Sequence, residues 1–223
     1  MSDRLHPSRS TVGYAVRRPL LEWLTAQDVV GARMLDVGCG ERPYEALFAG
    51  AAEVVGFDVP GNPHADLHGS IDAIPVEDAG FDVVLCLQVL EHVPDPAAAV
   101  RELRRAVRPG GRVLLSTHGV YPFHPNPNDL WRWTHTGLER LFRTNAEWTS
   151  VTVRPGAGTA ATIAMLVAHG VDLLAKRAHV RALAVPLVVA FNAAGEGLDR
   201  AVPMLREPIP GSLNANYHVE AVA

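Results

Sequence analysis

The chain has 223 residues and a net charge of −4, with 48% hydrophobic and 20% charged residues. That composition is ordinary for a soluble globular protein with a sizeable core, and it excludes both a disordered chain and a basic nucleic-acid footprint. Two cysteines, Cys39 and Cys86, neither in a CxxC pair, exclude a disulfide framework and point to a reducing, cytoplasmic setting.

Residues 1–13 are polar, lack the apolar core of a signal peptide, and read as a flexible arm. Residues 14–27 carry Leu20, Leu21 and Leu24 at helical spacing, which predicts an amphipathic helix. The apolar run 33–37 (RMLDV) reads as a buried parallel strand, and Gly38 and Gly40 as a sharp turn off its end. Pro43 opens a short helix. Residues 53–58 (EVVGFD) form a second buried strand ending in an acid. Residues 64–67 suggest a short third strand, too close to the second for a full crossover helix.

A central strand follows at 81–87 (FDVVLCL), then a helix at 96–107 with Ala99, Val100, Leu103 and Val107 on one face. Asp95 is its expected N-cap, and Pro109-Gly110-Gly111 stops it. Residues 112–116 are the next strand. The segment 118–134, rich in proline, asparagine, histidine and aromatics, reads as a long loop beyond that strand's carboxyl end. A helix at 136–142, a strand at 148–153, apolar helices at 158–176 and 180–202, and a closing strand at 216–222 complete the chain. Pro186 is expected to kink or break the second apolar helix. The run 182–194 is too short and broken to span a bilayer. Core or dimer contact is the default for these helices, a cap over an apolar substrate the sharper option, and membrane-surface contact the third. The whole reads as one domain over 1–223, with 158–204 a helical insertion or cap.

Strands alternating with helices argue a doubly wound sheet, whose ligands bind beyond the strands' carboxyl ends. A dinucleotide fingerprint needs a third glycine where this chain has Pro43, and Asp36 just before the turn would repel a pyrophosphate. Asp36 suits a ligand bearing an ammonium group, and Asp58 is placed for ribose hydroxyls. Together these acids describe S-adenosylmethionine better than NAD.

Residues 35–40 (LDVGCG), 54–58 (VVGFD), 74–96 (IPVEDAGFDVVLCLQVLEHVPDP) and 103–117 (LRRAVRPGGRVLLST) resemble the successive motifs of class I S-adenosylmethionine-dependent methyltransferases. The likeness runs from about Tyr14 to Phe142. It implies a Rossmann-like, doubly wound, seven-stranded, mostly parallel α/β sheet with an antiparallel edge hairpin built from 148–153 and 216–222. The helical insertion precedes the last strand. By the same resemblance, Asp36, Gly38 and Gly40 hold the methionine part, with Cys39 contributing backbone. Asp58 binds the ribose, Val59 lies beside the adenine, Ser70 and Ile71 stand at the adenine contact where an aspartate is more usual, and Leu87 and Gln88 line the methionine end.

The loop 124–134 resembles an HPxPxDxWRxT-like segment of small methyltransferases, some of them from sugar-polymer or secondary-metabolite pathways. Its substrate-side candidates are Tyr121, Asn128, Asp129, Trp131 and Trp133. The alternative is a proline-braced loop with packed tryptophans and a simple Asp129–Arg132 pair. His118 or His124 is the expected general base, with His92 in reserve, because histidine titrates near neutral pH. Glu91 and His92 read as a capping and packing pair. No recognised metal-ligand spacing is present, so no metal is expected. The expected reaction is methyl transfer from S-adenosylmethionine to a small-molecule acceptor, with S-adenosylhomocysteine as product. No nucleic acid and no stable membrane insertion are expected, and a homodimer through the C-terminal helices is one option. The rival readings are a non-catalytic cofactor-binding protein of the same fold and an NAD-dependent oxidoreductase.

Overall fold

The computed structural model describes residues 4–223, so the first three residues of the expected arm lie outside the described residues. Seven strands form one sheet in the order β3-β2-β1-β4-β5-β7-β6. They are β1 (Arg33–Val37), β2 (Glu53–Asp58), β3 (Leu67–His68), β4 (Phe81–Leu87), β5 (Val107–His118), β6 (Ser150–Pro155) and β7 (Asn216–Val222). β7 runs antiparallel to both β5 and β6, and the pairs among β1 to β5 are parallel. This is the expected Rossmann-like sheet with its antiparallel edge.

Alternation along the strands makes two cores. Leu35, Val37, Val84, Cys86, Val113 and Leu115 pack on one face against α2 (Pro96–Ala106) and α3 (His135–Asn145), through Leu103, Leu138 and Phe142. Met34, Val83, Leu85 and Leu114 face the other way, onto Leu20 and Leu24 of α1 (Tyr14–Thr25). Asp36, two residues after Met34, lies on this second face at the end of β1.

Several boundaries moved for identifiable reasons. The helix expected from Pro43 is a short 3₁₀ turn, Glu45–Phe48. The third strand shifts to Leu67–His68, where Phe57 pairs with Leu67 and Asp58 with His68. Asp95 does cap α2, accepting from Ala98 N at 3.0 Å. The helix already ends at Ala106, however, and Pro109-Gly110-Gly111 forms an irregularity inside β5, where the register with β4 jumps between Val107 and Arg112. The described part of the expected arm touches the later helix Arg181–Ala201: Asn192 Nδ2 donates to the Arg9 and Thr11 carbonyls, and Arg9 pairs with Glu196 at 2.6 Å.

The insertion is a helical hairpin, α4 (Thr159–Arg177) and α5 (Arg181–Ala201). Pro186 does not break α5, which runs through it. Near the helix start the ring removes a single backbone hydrogen bond. The run 182–194 is thus part of one continuous 21-residue helix. By length and composition alone, both α4 and α5 are long and apolar enough to cross a membrane.

Candidate active site

The turn after β1 is built around Gly38 and Gly40, with φ of 74° and 55°. The Gly38 and Cys39 amides both donate to the Phe57 carbonyl, at 2.8 and 3.1 Å, which ties the turn to the end of β2. A Cβ on Gly38 would lie 2.3 Å from Val89 Cγ2, so both its φ and its packing demand glycine. Asp36, 9% exposed, stands directly beneath the turn, and among the described residues no hydrogen bond reaches its carboxylate. Burial pushes it up to about 7, only partly opposed by the Arg42 guanidinium.

Asp58 closes β2. Its Oδ1 accepts from Val59 N at 2.7 Å. Its Oδ2 accepts from Gly40 N at 2.8 Å and from Asn62 Nδ2 at 2.7 Å. Asn62 also donates to the Gly40 carbonyl at 2.9 Å, clamping the two turns together. The sequence reading missed Asn62; its place in a Gly-Asn-Pro turn just after the acid was the available signal. Val59 is exposed beside Asp58, and the Gly69 amide donates to the Asp58 carbonyl, which brings exposed Ser70 and half-buried Ile71 to the same rim. Leu87 is buried at the end of β4, and Gln88, at φ 58°, donates through Nε2 to Ser116 Oγ at 2.5 Å. The expected cofactor-side residues therefore converge at the carboxyl ends of β1, β2 and β4. Cys39 is buried with its thiol pushed up to about 12 by that burial, which leaves it without nucleophilic character.

A second group gathers one strand over. His118 ends β5 at 4% exposure, and its Nε2 lies 3.2 Å from Oε1 of fully buried Glu91. Glu91 Oε2 accepts from Thr117 Oγ1 at 2.8 Å. His118 Nδ1 is buried without a hydrogen-bond partner, and Glu91 Oε1 has the close contact without hydrogen-bond alignment. Burial holds His118 down to about 3 and pushes Glu91 up to about 7. Glu91, expected as a capping and packing residue, makes no helix-cap hydrogen bond, and its side chain faces the histidine. Only the tertiary pairing of β4 with β5 sets them together.

Tyr121 stacks on His118 with centroids 3.9 Å apart and also meets His124. His92 Nδ1 is hydrogen bonded to the Asn128 carbonyl, and its ring is 5.9 Å from that of exposed His124. The Asp129 carboxylate is engaged by Arg132 and by the His124 amide, which hold it down to about 2. It braces the loop. Trp131 Nε1 donates to the Val93 carbonyl at 2.7 Å, and Trp131 stacks with Trp133, which packs against the core. The loop is thus both braced and open to the site. Among the described residues, no group of three or more His, Cys, Asp or Glu is arranged to hold a metal ion.

This arrangement has counterparts. A family described as a methyltransferase domain matches residues 9–148. The chain belongs to that family, a class that uses S-adenosylmethionine. Among curated relatives, a ubiquinone biosynthesis O-methyltransferase of Xanthomonas oryzae pv. oryzae is 36% identical over 121 residues, covering 47% of this chain and 51% of the relative. The chain thus spans about half the length of the curated relatives it matches. Among solved structures, an S-adenosylmethionine-dependent methyltransferase from Mesorhizobium loti superposes with a TM-score of 0.54 at 15% identity, covering 91% of this chain and 97% of that one. The [4+2]-cyclase SpnF superposes with a TM-score of 0.57 at 18% identity, covering 97% and 85%. These two likenesses speak to fold alone.

The residues present fit the family's cofactor. A buried carboxylate without a hydrogen bond matches an ammonium group, and exposed Gly40, where a Cβ would meet nothing within 4 Å, leaves room at the turn.

Proposed function

We propose that this chain transfers a methyl group from S-adenosylmethionine to the oxygen of a small hydroxyl-bearing acceptor, leaving S-adenosylhomocysteine. The observation that carries this reading is the buried Glu91–His118 pair, 3.2 Å apart, at the end of β5, the strand that pairs with β4. The sulfonium supplies a methyl group that is already activated, so the protein has mainly to align donor and acceptor and exclude water. A hydroxyl acceptor must also lose a proton. His118 takes it, and Glu91, 3.2 Å from Nε2, stabilises the imidazolium that forms against the burial that disfavours it. His124 and His92 are reserve bases.

On the cofactor side, Asp36 takes the ammonium, the backbone of Gly38, Cys39 and Gly40 takes the methionine end, and Asp58 takes the ribose. Val59, Ser70 and Ile71 border the adenine, and Leu87 and Gln88 the methyl group. Tyr121, Asn128, Trp131 and Trp133 border the acceptor, while Asp129 shapes their loop. The O-methyltransferase names of the curated relatives support an oxygen acceptor. A sugar or secondary-metabolite intermediate satisfies the same chemistry. The buried free thiols of Cys39 and Cys86 support a cytoplasmic setting.

Calorimetry with S-adenosylhomocysteine tests the assignment. Wild-type chain should bind saturably, and Asp58→Ala should bind at least about tenfold more weakly, as expected for lost charge-assisted hydrogen bonds. Equal affinity in the two proteins would remove Asp58 from the site.

A further inference from the structure

The α4–α5 hairpin lies beyond the stretch matched by the family, which ends at residue 148. Between Ala182 and Gly195, α5 carries no charged residue. Its buried residues, Ala184, Val188, Asn192, Gly195 and Asp199, form one stripe. Around more than half of its circumference it exposes apolar side chains, among them Leu183 (74%), Leu187 (52%) and Leu198 (54%). α4 does the same opposite its own buried stripe, with Ile163, Val167 and Leu174 exposed, the last at 70%. A single continuous apolar surface thus wraps the hairpin.

The tip between the helices is basic. Lys176, Arg177 and Arg181 gather there with His179, and Asp172 is the one carboxylate among them, paired with Lys176 and Arg181. The opposite end is fixed to the domain. Glu196 pairs with Arg9 and accepts from the Tyr14 hydroxyl, Asn192 holds the N-terminal turns, and Thr162 Oγ1 accepts from the Ala215 amide. α5 is about 31 Å long at helical rise.

We propose that this hairpin docks the protein on the surface of a bilayer containing anionic lipid, lying at the headgroup–acyl boundary with its basic tip among the headgroups. Two observations select lipid over a second copy of the chain. Apolar exposure around most of α5 and along the outer side of α4 is more than one flat protein face covers, whereas acyl chains close around it. The excess positive charge at the tip complements anionic headgroups and would repel its own copy. The surface is also adjacent to the candidate site: His169 of α4 meets the Tyr121 ring, which stacks on His118. Docking there brings the acceptor side of the site up against the membrane.

Vesicle flotation of the full chain tests this, using vesicles of phosphatidylcholine alone and of an equimolar phosphatidylcholine–phosphatidylglycerol mixture. Wild-type protein should float with the mixed vesicles and at least about tenfold less with phosphatidylcholine alone. Arg177→Glu should weaken the mixed-vesicle binding, and Leu183→Glu with Leu187→Glu should abolish it. These side chains are exposed, so the melting temperature should be unchanged, which separates lost docking from lost fold. Wild-type protein that fails to float with either vesicle would overturn the proposal. So would a double variant that floats like wild type, or a wild-type dimer in light scattering that the double variant converts to monomer.

Discussion

His118 is defined by what surrounds it more than by its own chemistry. In water it would titrate near neutrality; in its buried place it stays neutral and its Nδ1 faces no partner. If it is the base, His118→Ala lowers kcat by about 10²- to 10⁴-fold on a hydroxyl acceptor, with little change in affinity for S-adenosylhomocysteine. Glu91→Gln keeps the shape and removes the charge. It should lower kcat less and erase any limb of the pH–kcat profile near pH 7, where Glu91 titrates. An unaltered profile in Glu91→Gln would assign Glu91 to packing alone. Asp36 makes a second prediction at this scale. Folding raises its pKa from 3.8 to about 7, so the folded chain without cofactor holds the proton more tightly than the unfolded chain does. The associated stability is fully present below about pH 4 and is lost as the pH rises through 7. An incoming ammonium group favours the charged carboxylate, so binding near pH 6 should release a proton. Calorimetry in two buffers of different ionisation enthalpy reads that release, and Asp36→Asn should abolish it. Equal heats in both buffers with the wild-type chain would refute the pairing.

At the scale of elements, local signals and packing divided the work. The α2 boundary was readable because Asp95 caps it and a proline follows at the first helical position. The 109–111 triplet was misread as a stop because a proline and two glycines also suit an irregularity within a strand, and only pairing with β4 distinguishes the two. In the hairpin, Gly195 lets the helices approach: a Cβ there would lie 2.8 Å from Ala161 Cα and from Ala164 Cβ. Gly195→Leu should therefore force α4 and α5 apart and cost about 1–3 kcal/mol in urea unfolding. A variant as stable as wild type would show that the helices can separate without loss.

For the whole molecule, the doubly wound sheet followed from the alternation of strands and helices, and its seven strands and antiparallel edge from the resemblance that named the motifs; the strand order came from the structure. Asp36, Gly38, Gly40 and Asp58 were legible because their chemistry is local: an acid and two glycines within a single turn, and a second acid ending the next strand. Glu91 and Asn62 were not, since each works on a partner brought close by folding: Glu91 on His118 at the end of β5, Asn62 on Gly40 across the turn. Asp129 was legible as a choice between ligand and brace, and folding adds the contacts to Arg132 and to the His124 amide. The sequence by itself determined the doubly wound α/β architecture and the candidate cofactor turn, because period and turn chemistry are properties of neighbouring residues. Tertiary structure alone decided which histidine is buried against a carboxylate and which faces of α4 and α5 stay uncovered, because burial depends on residues distant along the chain.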